Sequence, residues 1–168
     1  MLVGEQPGDK EDLAGKPFVG PAGRILDAAL KDAGIPREDT FVTNAVKHFK
    51  HEMRGKRRLH KRPNTFEVER CKIWLDHERQ LVGPSTIIAL GVTAARSLTG
   101  KTVTIAKMRK TPVDMADGTK LVVTLHPSAL LRIDDEDTRH AAYQEFVADL
   151  KAAAQAAKTT AKAAAGKR

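Results

Sequence analysis

Short β-branched and aliphatic runs alternate along this chain with longer stretches whose apolar positions recur every three or four residues. That alternation predicts an α/β fold, a three-layer α/β/α sandwich with a mostly parallel central sheet. Met1-Leu2-Val3 reads as the end of a strand that would ordinarily be longer, so an N-terminally shortened form is expected. Ile25, Leu26, Ala29, Leu30 and Ala33 make a helical stripe from near Pro21 to Gly34. Residues 41–46 read as a second strand, and 48–63, lacking apolar periodicity, as a loop. Asn64 with Glu67 three residues on resembles a capping box, opening a helix through Cys71, Trp74 and Leu75 towards Gly83-Pro84. Residues 86–90 read as a buried strand, followed by a short helix carrying Ala94, Ala95 and Leu98. The pattern over 102–114 stays unassigned. Asp117-Gly118 marks a tight turn before a strand at 121–125, and a helix from about Arg139 to Ala157 packs Ala142, Phe146 and Leu150.

At 168 residues, 41% hydrophobic and 30% charged, the chain is sized for one packed domain, placed at 1–150. The Ala/Lys-rich segment 151–168 is expected to be a frayed helix or a disordered tail. A single cysteine excludes an internal disulfide framework. No apolar run approaches the roughly 18 residues of a membrane span, and Gly4-Glu5 interrupts any signal-peptide core, so a cytoplasmic protein with no membrane partner and no oligomer is expected.

Net charge changes the picture once it is located. The total is +8, yet 47–62 carries +7 and 151–168 carries +5, leaving −4 on the rest. Positive charge confined to a loop and a tail implies an anionic partner, nucleic acid first and an acidic membrane or protein surface second; the plainer reading is two solvated charge runs.

Three polar segments follow predicted strands: Gly4-Glu5-Gln6-Pro7-Gly8-Asp9, Asn44 with the basic loop behind it, and His126-Pro127-Ser128. Ligands of open α/β sheets gather beyond the carboxyl ends of strands, so these segments can share one crevice. Read singly, the glycines are turn residues, Asn44 a strand-end polar group and His126 a turn histidine. A P-loop and a dinucleotide fingerprint are both absent from Gly4 to Gly8.

Gly4-Glu5-Gln6-Pro7-Gly8, Glu11-Asp12, Gly15-Lys16-Pro17-Phe18-Val19-Gly20 and Ala22-Gly23 together resemble the first motif of the uracil-DNA glycosylase superfamily, in its iron-sulfur (family 4) branch. Thr43-Asn44 and His126-Pro127-Ser128 with Leu130-Leu131-Arg132 match its other motifs, and Lys56-Arg57-Arg58-Leu59-His60 is similar to UdgX-type enzymes. The resemblance implies excision of uracil from DNA, with single-stranded DNA preferred, and covalent capture of the DNA by the loop histidine, His60. It implies Gln6 and Asp9 as lining residues of the uracil site.

The residue chemistry fits. Phe18 offers a stacking face, and an Asn44 amide of fixed orientation accepts from uracil N3–H and donates to O4. Glu5 stabilises an electron-poor sugar or accepts a proton, and His126 with backbone amides near Gln6 and Gly8 stabilises the departing base. His60 sits among cations that disfavour its charged form, leaving the lone pair a nucleophile needs. Lys47, Lys56, Arg57, Arg58 and Arg62 neutralise phosphates, Arg58 also orients the loop against the body, Ser128 and Arg132 contact the backbone, and Leu130 or Leu131 wedges into the gap left by a flipped base.

Relatives in this branch hold a four-iron, four-sulfur cluster with four ligands. Here an N-terminal Cys-x-x-Cys is absent and only His48 and Cys71 occupy candidate ligand positions, so the chain is either a shortened form or works without the cluster. Two rivals remain: a conventional turning-over uracil-DNA glycosylase, and an inactive DNA-binding remnant.

Overall fold

The computed structural model describes residues 1–109 and 111–165, with side chains through residue 160. In chain order the elements are β1 (Leu2–Gly4), α1 (Asp9–Ala14), α2 (Pro21–Asp32), β2 (Val42–Asn44), β3 (His51–Arg54), β4 (Arg57–His60) and α3 (Thr65–Val82). They continue with β5 (Thr86–Leu90), α4 (Val92–Thr99), α5 (Ile105–Met108), β6 (Val113–Asp114), β7 (Lys120–Thr124) and α6 (Glu136–Ala165). The main sheet runs β2-β1-β5-β7-β6, parallel except for the β6 edge.

Alternation within the strands sorts the core into two layers. Leu2, Ile88, Leu90 and Val122 point to one face and meet Leu26 and Leu30 of α2 and Phe146 and Leu150 of α6. Val3, Ile87, Ala89, Leu121 and Val123 point to the other and meet Leu75 of α3 and Ala94, Ala95 and Leu98 of α4. Each fully buried leucine or phenylalanine stabilises this arrangement by roughly 1.5–3 kcal/mol. The sandwich is the expected one, and the Asn64–Glu67 capping box closes in both directions at the start of α3.

Three segments differ from the pattern-based reading. Residues 48–63 hold an antiparallel hairpin rather than a loop, its register pairing Arg54 with Arg57 across the turn Gly55-Lys56 and His51 with His60 at its base. Its strands escaped detection because almost every side chain on them is exposed or half-exposed, which erases the period-2 signal. The unassigned stretch 102–114 forms the short α5 and the two-residue edge strand β6. Finally, α6 runs to Ala165, past the helix end expected near Ala157, alanine being the strongest helix former; 166–168 lie outside the described residues.

The chain leaves β1 towards β2 on one side and reaches β5 on the other. The strand order therefore reverses between β1 and β5, and a crevice opens at their carboxyl ends.

Candidate active site

Glu5 follows β1 directly and stands at this crevice. Its carboxylate accepts from Thr93 Oγ1 at 2.5 Å, at the start of α4 after β5, and lies 3.7 Å from Arg62 Nε. The same carboxylate faces His60 Nε2 at 3.5 Å. His60 ends β4, so the hairpin delivers an imidazole to the mouth of the sheet crevice.

Two contacts hold the hairpin there. The buried Gln6 amide donates to the carbonyls of Lys50 (3.2 Å) and Lys61 (3.1 Å) and accepts from Lys50 N–H (3.3 Å), stapling both legs of the hairpin to the end of β1. Arg58 reaches from β4 to α1, its Nε 2.6 Å from Asp9 Oδ1 and its Nη1 2.6 Å from Asp12 Oδ2. The two carboxylates hold the guanidinium above its ordinary pKa. Beneath the hairpin lies Phe49, buried, with the His51 ring stacked at 5.0 Å, the His60 ring tilted at 6.2 Å and the Arg58 guanidinium 5.3 Å from its centroid.

The other side of the crevice is built around Phe18. Its φ of +56° is a strained value for a side chain of this size, and the missing Cβ of Gly23 admits its carbonyl, which would otherwise lie 1.7 Å from that atom. Glu11 closes the same loop by accepting from Gly20 N–H at 2.8 Å. The Phe18 ring then packs where a Gly4 Cβ would sit, 2.7 Å from its Cζ, beside Asn44 Oδ1 at 2.4 Å from the same point. On its other side it stacks with His126 at 5.7 Å and 29°. Asn44 is buried, and its Oδ1 has no hydrogen-bond partner. An orphaned buried acceptor costs about 1–3 kcal/mol, which a ligand N–H would recover.

His126 is half-buried, and desolvation pushes its imidazole down to about 4, against the opposing pull of the Glu5 carboxylate. Its Nδ1 accepts from Ser128 N–H at 3.2 Å and lies 2.9 Å from Ser128 Oγ, so the proton of the neutral ring resides on Nε2. The unfolded chain protonates this residue near pH 6.5, whereas the folded one resists until about 4. Stability is therefore expected to fall by roughly 3 kcal/mol as pH drops through that window, with no further contribution from this residue below it. Denaturant unfolding of wild type and His126→Asn at pH 7 and pH 4.5 checks this: the variant should lose less.

Glu5, Phe18, Asn44, His60 and His126 are thus brought together. Gln6 and Asp9, which the resemblance placed against uracil, have their side chains turned to the hairpin and to Arg58. Three expected phosphate contacts are committed elsewhere. Lys47 Nζ donates to Thr43 Oγ1, Asn44 O and Glu78 Oε2 at 2.8, 2.7 and 2.6 Å, using all three donors within the body. Arg58 spends its charge on α1, and Ser128 positions His126. Lys56, Arg57 and Arg132 are exposed. Leu131 is 53% exposed while Leu130 is 2% exposed and in the core, so only Leu131 is free to wedge. Thr93, Phe49 and Glu78 escaped the sequence reading; only Phe49, a lone aromatic in a basic run, carried a visible signal.

His48 Nδ1 and Cys71 Sγ lie 3.8 Å apart, close enough to share one metal ion. Among the described residues, however, no group of three or more His, Cys, Asp or Glu is placed to hold a metal. Two donors do not cage a four-iron cluster, so the described residues do not fit that group.

The profile of the uracil DNA glycosylase superfamily matches residues 1–151. The chain belongs to that superfamily. A Type-4 uracil-DNA glycosylase of Thermotoga maritima is 37% identical over 147 residues, covering 87% of this chain and 73% of that protein. Its counterpart from Pyrobaculum aerophilum is 36% identical over 143 residues (79% and 67%), and that of Archaeoglobus fulgidus 33% over 138 (78% and 66%). A DNA polymerase of Bacillus phage SP01 is 29% identical over 133 residues, covering 79% of this chain but 13% of the polymerase. In this superfamily member the strand-end motifs, far apart in sequence, share one crevice.

Proposed function

We propose that the protein excises uracil from DNA and is then joined to the abasic sugar through His60. The observation that carries this reading is His60 Nε2 at 3.5 Å from the Glu5 carboxylate, at the mouth of a crevice whose floor holds the unpartnered Asn44 Oδ1.

A flipped uracil stacks on Phe18, with N3–H donating to Asn44 Oδ1 and the Asn44 amide N–H donating to O4. As the C1′–N1 bond breaks, its electron pair passes to the base, and the Nε2–H of neutral His126 donates to the developing charge at O2. Glu5 stabilises the cationic sugar. The Nε2 lone pair of His60 then forms a bond to C1′, and its Nδ1 proton passes to water. The linkage persists because reversal would expel an imidazolide anion, a poor leaving group.

Single-stranded DNA is the favoured substrate, since a base outside a duplex is already unpaired. Boiling protein and labelled uracil-DNA in detergent should leave a slow-migrating band. Alkali-labile sites without that band would replace this reading with a turning-over glycosylase, the activity named for the Type-4 relatives. DNA binding with neither product would leave a DNA-binding remnant.

The Gln6 staple separates the two steps. Gln6→Ala removes one of the hairpin's two clamps but leaves Glu5, Asn44 and His126 on the sheet. Adduct yield is expected to fall about tenfold, with uracil release changing by less than about threefold. Quantifying free uracil and the gel-shifted band in one reaction checks this.

A further inference from the structure

We propose that the C-terminal half of α6 is a second DNA-binding surface, which grips phosphates flanking the cleft without regard to sequence or to uracil. The root of this segment packs against the carboxyl end of β7, in the sheet that bears the cleft. Asp149 accepts from Thr124 Oγ1 at 2.6 Å, and Thr124 ends β7 two residues before His126. Among the described residues the last buried position of α6 is Ala153, and the helix continues to Ala165, roughly 18 Å further at 1.5 Å per residue.

Charge on this extension has one sign. Glu145 and Asp149 are both taken by Arg109, at 2.6 Å each, and no acid follows them. Lys151 and Lys158 are exposed two helical turns apart, and the sequence adds Lys162, Lys167 and Arg168. Cations of one sign along a helix attract a polyanion by counterion release, which needs no base contacts. DNA is favoured over an acidic membrane because a surface-lying amphipathic helix needs Leu, Phe or Trp to bury, and residues 151–168 contain none.

The test replaces Lys151, Lys158, Lys162, Lys167 and Arg168 with Gln and measures binding to a long uracil-free duplex across a salt series. Because no uracil is present, the result is independent of the proposed excision and capture. The variant should bind at least tenfold more weakly at low salt, and its log–log salt slope should be shallower by about 2–4. Uracil release from a short single-stranded oligonucleotide that fills only the cleft should be unchanged, and the unfolding midpoint likewise. An unaltered slope and affinity on the long duplex would overturn the proposal. So would equal losses on the short and long substrates, or a loss of binding to phosphatidylserine vesicles with duplex binding intact.

Discussion

Glu5→Gln is expected to slow uracil release by about two to three orders of magnitude while uracil-DNA still binds. The substitution keeps the shape of the side chain and an acceptor for Thr93, whose hydroxyl lies 2.5 Å from the carboxylate. What disappears is a negative charge, half-buried at 21% exposure, beside the site where the sugar turns cationic. Low-dielectric surroundings make that charge worth more in the transition state than in the bound substrate. The adduct should vanish with excision, because capture needs a vacated C1′. Single-turnover release measured at saturating protein isolates the chemical step, and a rate within threefold of wild type would remove Glu5 from it.

His60→Ser has the opposite signature. It should abolish the detergent-resistant band yet retain uracil release within about tenfold, because Phe18, Asn44, Glu5 and His126 are untouched. Water then takes the place of the imidazole at C1′, and turnover should rise from one uracil per protein to many. The serine hydroxyl is too short to span the 3.5 Å approach that the imidazole makes towards Glu5 from β4. A band that survives boiling in this variant would assign capture to another nucleophile.

Much of this architecture is visible in the chain. The continuous apolar runs of β5 and β7 announce strands buried on both faces, and Asn64 with Glu67 announces the start of α3. The carboxyl-end rule for open sheets is enough to gather Glu5, Asn44 and His126. Pairings between distant polar residues left no local pattern. Lys47 reads as a free cation until Glu78 is folded beside it, the partners of Arg58, Asp9 and Asp12, lie more than forty residues away from it, and Thr93 stands 88 residues from the carboxylate it contacts. The hairpin was missed for a related reason: its order comes from Phe49 below and Gln6 behind, and neither leaves a repeat in the strands themselves.

The Gln6 staple has an evolutionary corollary. On the proposed reading, recognition and bond cleavage reside in groups rooted on the sheet and its adjoining turns, whereas the histidine rides on an appendage clipped to that scaffold by the Gln6 amide and the Arg58 guanidinium. On that reading, remodelling one surface ribbon is enough to trade self-sacrifice for repeated use, with the pocket left intact.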